Sequence, residues 1–144
     1  MKSKIYFFEE NINFKLKEKL KIKAWLNCIS DIEEKEILTL NYVFCNDGYL
    51  LNLNQNFLKH NTFTDIITFQ NNEIGKPIDG EIYISIDRVI ENAKIHNSRF
   101  EIELKRVLAH GLLHLCGYKD KTNSQIELMR SKEEDALILY ENLI

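Results

Sequence analysis

The chain has 144 residues, 44% hydrophobic and 28% charged. That is the make-up of an ordinary globular protein, long enough to bury a core without covalent or metal staples. Its formal net charge of -3 excludes a whole-molecule basic field, so any nucleic-acid binding must rest on a local patch. The cysteines, Cys28, Cys45 and Cys116, are odd in number and widely spaced. They read as reduced thiols rather than a disulfide framework.

In chain order, the apolar run Ile5 to Phe8 is too short for a signal-peptide core or a membrane span. It reads as a first strand, and the chain is expected to be cytoplasmic with no membrane partner. Phe14 to Ile29 reads as a helix with Leu16, Leu20, Ile22, Trp25, Leu26 and Ile29 as apolar positions. Its lysines, from Lys15 to Lys23, fall on several faces and solvate it. Ile37 to Cys45 has the composition of a strand, and Asp47 is placed to cap a short helix reaching Phe57. Asp65 to Phe69 and Gly80 to Ile86 read as two further strands, the second alternating Ile82, Ile84 and Ile86 on one face.

Asp87 begins a helix to about His96. Ser98 and Glu101 have the spacing of a capping box, opening a helix to about Cys116 with Gly117 just beyond its end. From Val107 onward this helix is apolar on nearly every side, the pattern of a buried helix. Thr122 and Gln125 suggest a second capping box, opening a last helix that ends near Leu143. One proline and five glycines leave little material for a linker, so residues 1–144 are expected to form one domain. Four strands and about five helices without regular βαβ alternation predict an α+β fold with one mixed sheet.

His110 and His114 lie inside the buried helix, four residues apart and so on one face, one turn apart. Two imidazoles so placed can grip one divalent ion, zinc foremost, with the helix fixing their geometry. The alternative is a pair of core histidines hydrogen-bonded to backbone or carboxylate. Gly111 follows the first histidine, where H-E-x-x-H peptidases carry their glutamate base, so a zinc peptidase is disfavoured. A glycine there is explained equally by close helix packing or by close approach of substrate.

His110-Gly111-Leu112-Leu113-His114-Leu115-Cys116-Gly117-Tyr118 resembles the H-G-x-L-H-L-x-G-Y signature of the YbeY family, bacterial single-strand endoribonucleases also called ribosomal RNA maturation factors. Leu53-Asn54, Thr64-Asp65-Ile66-Ile67-Thr68-Phe69 and Gly80-Glu81-Ile82 are similar to the family's upstream segments, so the resemblance covers roughly residues 50 to 121. It implies a zincin-like domain with the metal on the central helix. It also implies metal-dependent cleavage of single-stranded RNA in maturation of the small-subunit rRNA 3′ end and in ribosome quality control, with one zinc ion per chain. The family's third ligand histidine corresponds to Asp120 here, and a carboxylate oxygen is an acceptable zinc ligand. The implied ligand set is therefore His110, His114 and Asp120.

Two further departures are Leu58 in place of the family's arginine, with Lys59 and His60 beside it, and Phe63 in place of proline. No general base is assigned. His60, Asp65 and His96 are candidates by residue type, and Lys59, Arg88, Arg106, Lys119 and Lys121 are the expected cationic face toward RNA. A ribosome-associated metal protein without catalysis, a metal-dependent hydrolase of another substrate and a metal-free domain remain the other readings.

Overall fold

The computed structural model describes residues 4–57, 64–73 and 75–143. The elements run β1 (Lys4–Glu9), α1 (Lys19–Ile32), β2 (Ile37–Cys45), α2 (Asp47–Phe57), β3 (Ile66–Gln70), β4 (Ile78–Ser85), α3 (Ile86–Ile95), α4 (Phe100–Leu115) and α5 (Asn123–Asn142). The sheet has the order β1-β2-β4-β3. β1, β2 and β4 are parallel, and β3 is an antiparallel edge strand on β4. This is the mixed four-stranded α+β architecture expected. Among the described residues no helix is long and apolar enough to cross a membrane.

Strand alternation divides the apolar residues between two faces. Leu40, Tyr42 and Phe44 of β2 and Ile82 and Ile84 of β4 are fully buried in the main core with α1, α4 and α5. The Tyr42 hydroxyl donates to the Leu108 carbonyl at 2.8 Å, and Trp25 Nε1 donates to the Ala136 carbonyl at 2.7 Å. These bonds tie α4 to the sheet and α1 to α5. A smaller cluster of Cys45, Leu50 and Ile67 lies on the other face beneath α2.

Three local expectations are corrected. The first helix begins at Lys19, not Phe14, because Glu18 is left-handed with φ 57°. Phe14 and Leu16 reach the core from the segment ahead of it. Ile22, Trp25, Leu26 and Ile29 then form the buried stripe, and Leu20 falls off it at 84% exposure. Asn46, not Asp47, caps α2, accepting from the Tyr49 amide at 2.8 Å. Asp47 instead meets Ser85 Oγ at 2.7 Å and Arg88 Nε at 3.1 Å.

The Ser98 capping box does not form either: α4 starts at Phe100 after Arg99, with no side-chain cap. Ser98 is already committed to closing α3, its amide donating to the Ala93 carbonyl beyond left-handed Asn97. The Thr122–Gln125 capping box is present as expected.

Gly111 lets α4 lie against the sheet. A Cβ there would stand 2.9 Å from both Ile66 Cδ1 and Ile82 Cγ2, so of the two explanations for this glycine the geometry supports close packing. Gly111→Ala gains about 1 kcal/mol of helix propensity but incurs an overpacking cost of about 1–3 kcal/mol. Because two β-strand side chains must give way together, we expect net destabilisation of up to about 2 kcal/mol. Urea unfolding checks this, and a stabilised variant would contradict it.

Candidate metal centre

The site lies where α4 ends. Its inward face carries Val107, Leu108, Ala109, Leu112 and Leu113 into the core, while His110 and His114 keep side-chain exposures of 21% and 24%. The helix is buried as expected, but at His110 it borders a cavity of about 750 Å³. The two rings stand 4.5 Å apart at 83°.

Beyond the helix, Gly117 takes φ 113°. The Gly117 amide donates to the His114 carbonyl and the Tyr118 amide to the Leu113 carbonyl, the two bonds of a Schellman turn. The reversal brings Asp120 back over the histidine face. Asp120 Oδ2 lies 3.4 Å from Nε2 of His110 and 3.4 Å from Nε2 of His114.

The opposite ring nitrogens decide what this convergence means. His114 Nδ1 is 2.9 Å from the Tyr118 carbonyl. A carbonyl only accepts, so Nδ1 carries the proton and Nε2 presents a lone pair. His110 Nδ1 is 2.6 Å from Glu133 Oε2, and an ionised carboxylate imposes the same tautomer on a neutral ring. Two lone pairs and a carboxylate oxygen then face one another, with the three donor atoms within 4.8 Å. A cation between them would satisfy all three acceptors at once. Imidazole nitrogen plus carboxylate oxygen suits zinc and its neighbours, and each histidine has the outer hydrogen bond typical of a metal ligand. The group could hold a metal ion.

Glu133 and the Tyr118 carbonyl escaped the sequence reading. Glu133 did leave a signal: it sits on the buried stripe of α5 with Met129, Ala136 and Tyr140, where an acidic residue needs a partner. Tyr118 is itself anchored, its hydroxyl donating to Glu33 Oε1 at 2.6 Å. Cys116 belongs to the core, and burial pushes its thiol up to about 12. All three cysteines are free.

Of the proton-transfer candidates, Asp65 and His96 line the cavity beside His110. Burial foremost, then the charges of Glu133 and Asp120 against that of His110, leaves the Asp65 carboxyl raised from its ordinary value. His96 is 60% exposed, with Nδ1 3.6 Å from Glu103 Oε1. His60, Lys59, Leu58 and Phe63 lie outside the described residues.

The expected cationic face is corrected in part. Arg88 is paired with Asp47, and Arg106 with Glu103, Glu133 and Glu134. Lys119 and Lys121 are exposed on either side of Asp120, and Arg130 lines the cavity.

Burial alone would disfavour charge on His110, but the hydrogen bond and charge of Glu133, with Asp120 and Asp65 behind it, raise its pKa above the ordinary 6.5. Proton and metal ion compete for Nε2, so acid weakens metal binding, and the weakening begins above pH 6.5. Below the raised pKa, apparent affinity should fall about tenfold per pH unit. A zinc titration across neutral pH checks this. Affinity constant down to the ordinary imidazole value would contradict it.

The family model described as Endoribonuclease YbeY matches residues 5–141. The Endoribonuclease YbeY of Cytophaga hutchinsonii is 53% identical over 135 residues, 94% of each chain. That of Christiangramia forsetii is 46% identical, covering 96% of each. The solution structure of TM1509 from Thermotoga maritima is 28% identical, with a TM-score of 0.67, covering 94% of this chain and 88% of that one.

Proposed function

This chain belongs to the YbeY endoribonuclease family, and from that premise we propose that it is a zinc-dependent single-strand endoribonuclease maturing the 3′ end of small-subunit rRNA and serving ribosome quality control. It is a hydrolase of RNA phosphodiester bonds. In this reading residues 1–144 act as one domain in the cytoplasm, with one zinc ion per chain and the ribosome as the setting.

The observation that carries the metal reading is the convergence of His110 Nε2, His114 Nε2 and Asp120 Oδ2, with both Nδ1 atoms engaged behind them. His110, His114 and Asp120 would hold the ion. When bound, it supplies Lewis acidity at the scissile phosphodiester. Glu133 and the Tyr118 carbonyl keep both imidazoles in the ligating tautomer. Asp65 stands in the cavity wall with its carboxyl raised from the ordinary value by burial, and in this reading its carboxylate accepts or returns a proton there.

The same geometry bounds the RNA contact. With Arg88 and Arg106 paired with carboxylates, Lys119, Lys121 and Arg130 remain near the site among the described residues, so phosphate contacts from these residues are few. With about three of them, the slope of log affinity against log salt for single-stranded RNA should be about -2. Salt-independent binding would count against an electrostatic RNA contact.

Cleavage of a single-stranded RNA oligonucleotide by the purified protein tests the reading. Chelator should stop it and added zinc should restore it. Bound zinc with RNA binding but no cleavage would replace the enzyme reading with that of a ribosome-associated metal protein.

A further inference from the structure

α4 places Glu103, Arg106 and His110 along the cavity wall, with His114 one turn further on, at spacings of three, four and four residues. Their side chains line up as one connected row. The Arg106 guanidinium meets Glu134 Oε1 through Nη2 at 2.7 Å, Glu133 Oε1 through Nη1 at 3.5 Å and Glu103 Oε1 through Nε at 3.9 Å. Glu133 comes from the facing helix α5, and its side chain is only 7% exposed. Its two oxygens are divided: Oε1 faces Arg106, and Oε2 takes the His110 Nδ1 proton at 2.6 Å. A carboxylate held at both oxygens has its plane fixed. One held at a single oxygen can turn about its side-chain bonds and carry the imidazole with it.

We propose that Arg106 is a positioning residue for the metal centre, acting through Glu133 to hold the His110 ring with Nε2 aimed at Asp120. This replaces the expectation that Arg106 contacts RNA, since its guanidinium is hydrogen-bonded to Glu134 and ion-paired with Glu133 and Glu103. The planar fork suits the task because its donors point in fixed directions toward carboxylates on two helices. The proposal rests on His110 being a metal ligand, so its test must separate the two ideas.

The test is zinc affinity, measured by competition with a chromophoric chelator, for the parent chain, R106Q, R106K, E133A, the R106Q/E133A pair and H114A. Groups orienting a ligand histidine are worth 10- to 100-fold in metal affinity. R106Q should therefore weaken zinc binding by at least about tenfold, and R106K should recover part of that loss. Because Arg106 acts through Glu133, R106Q should cost almost nothing further once E133A is present. In the metal-free protein, the downfield Nδ1 proton resonance of His110 should broaden or disappear in R106Q and return in R106K.

If R106Q binds zinc as tightly as the parent while H114A has lost it, the proposal is overturned and the metal site stands. Equal losses from R106Q with and without E133A would also overturn it, by removing Glu133 from the path. A parent chain that does not bind zinc, or an H114A variant that binds it equally well, would instead refute the metal reading itself.

Discussion

Replacing His114 with alanine should abolish zinc binding and RNA cleavage together. The side chain supplies one of three converging donors, and its loss leaves His110 and Asp120 alone. Removing outer hydrogen-bonding partners of a metal ligand already costs 10- to 100-fold in affinity, so deleting a ligand should exceed about 100-fold. The fold should survive. The side chain is 24% exposed, and its hydrogen bond to the Tyr118 carbonyl is worth about 1 kcal/mol. Circular dichroism and a zinc titration on the same preparation separate the two effects. Full zinc occupancy in a folded His114→Ala protein would remove His114 from the ligand set.

The second large effect is at Asp120. Alanine there removes the only carboxylate among the three donors and should lower zinc affinity by at least about 100-fold, again because a ligand rather than an outer partner is lost. Histidine should preserve binding and supply the third imidazole of the family pattern. The two ligand sets differ by one unit of charge. A carboxylate donates more charge to the ion and makes a bound water less acidic than a third neutral imidazole does. Asp120→His should therefore keep zinc and shift the acid limb of the cleavage profile to lower pH. Zinc bound as tightly by Asp120→Ala as by the parent at neutral pH would refute the assignment.

Legibility in the sequence followed how local each determinant is. The strand Ile37–Cys45 was readable to the residue because its β-rich run is self-contained, and the helical histidine pair needed only the period of a helix. Residues with two possible employers were misread. Ser98 has the spacing of a cap for α4, but its amide finishes α3. Asp47 stands one residue from a capping position and is drawn instead to Ser85 and Arg88, 38 and 41 residues further along the chain. Arg106 looked available for RNA until α5 brought Glu133 and Glu134 against it.

Asp120 is the instructive intermediate. Nothing in its neighbours, Lys119 and Lys121, marks it as more than a surface aspartate. The family resemblance singled it out, and the Gly117 turn supplies the physical reason it can reach both histidines. Glu133 is the opposite case. Its place on the buried stripe of α5 was visible, but its partner is 23 residues away on another helix, a distance over which spacing carries no information.

The central claim is that two imidazoles and one carboxylate share a single ion, and X-ray absorption at the zinc edge of the zinc-loaded protein tests it most directly. The account predicts a first shell of nitrogen and oxygen at about 2.0–2.1 Å, with the outer-ring scattering of two imidazoles and no sulfur. The scattering should rise to three imidazoles in Asp120→His. A sulfur shell at about 2.3 Å would mark a cysteine as ligand, and that result, or a parent spectrum with fewer than two imidazoles, would contradict the account.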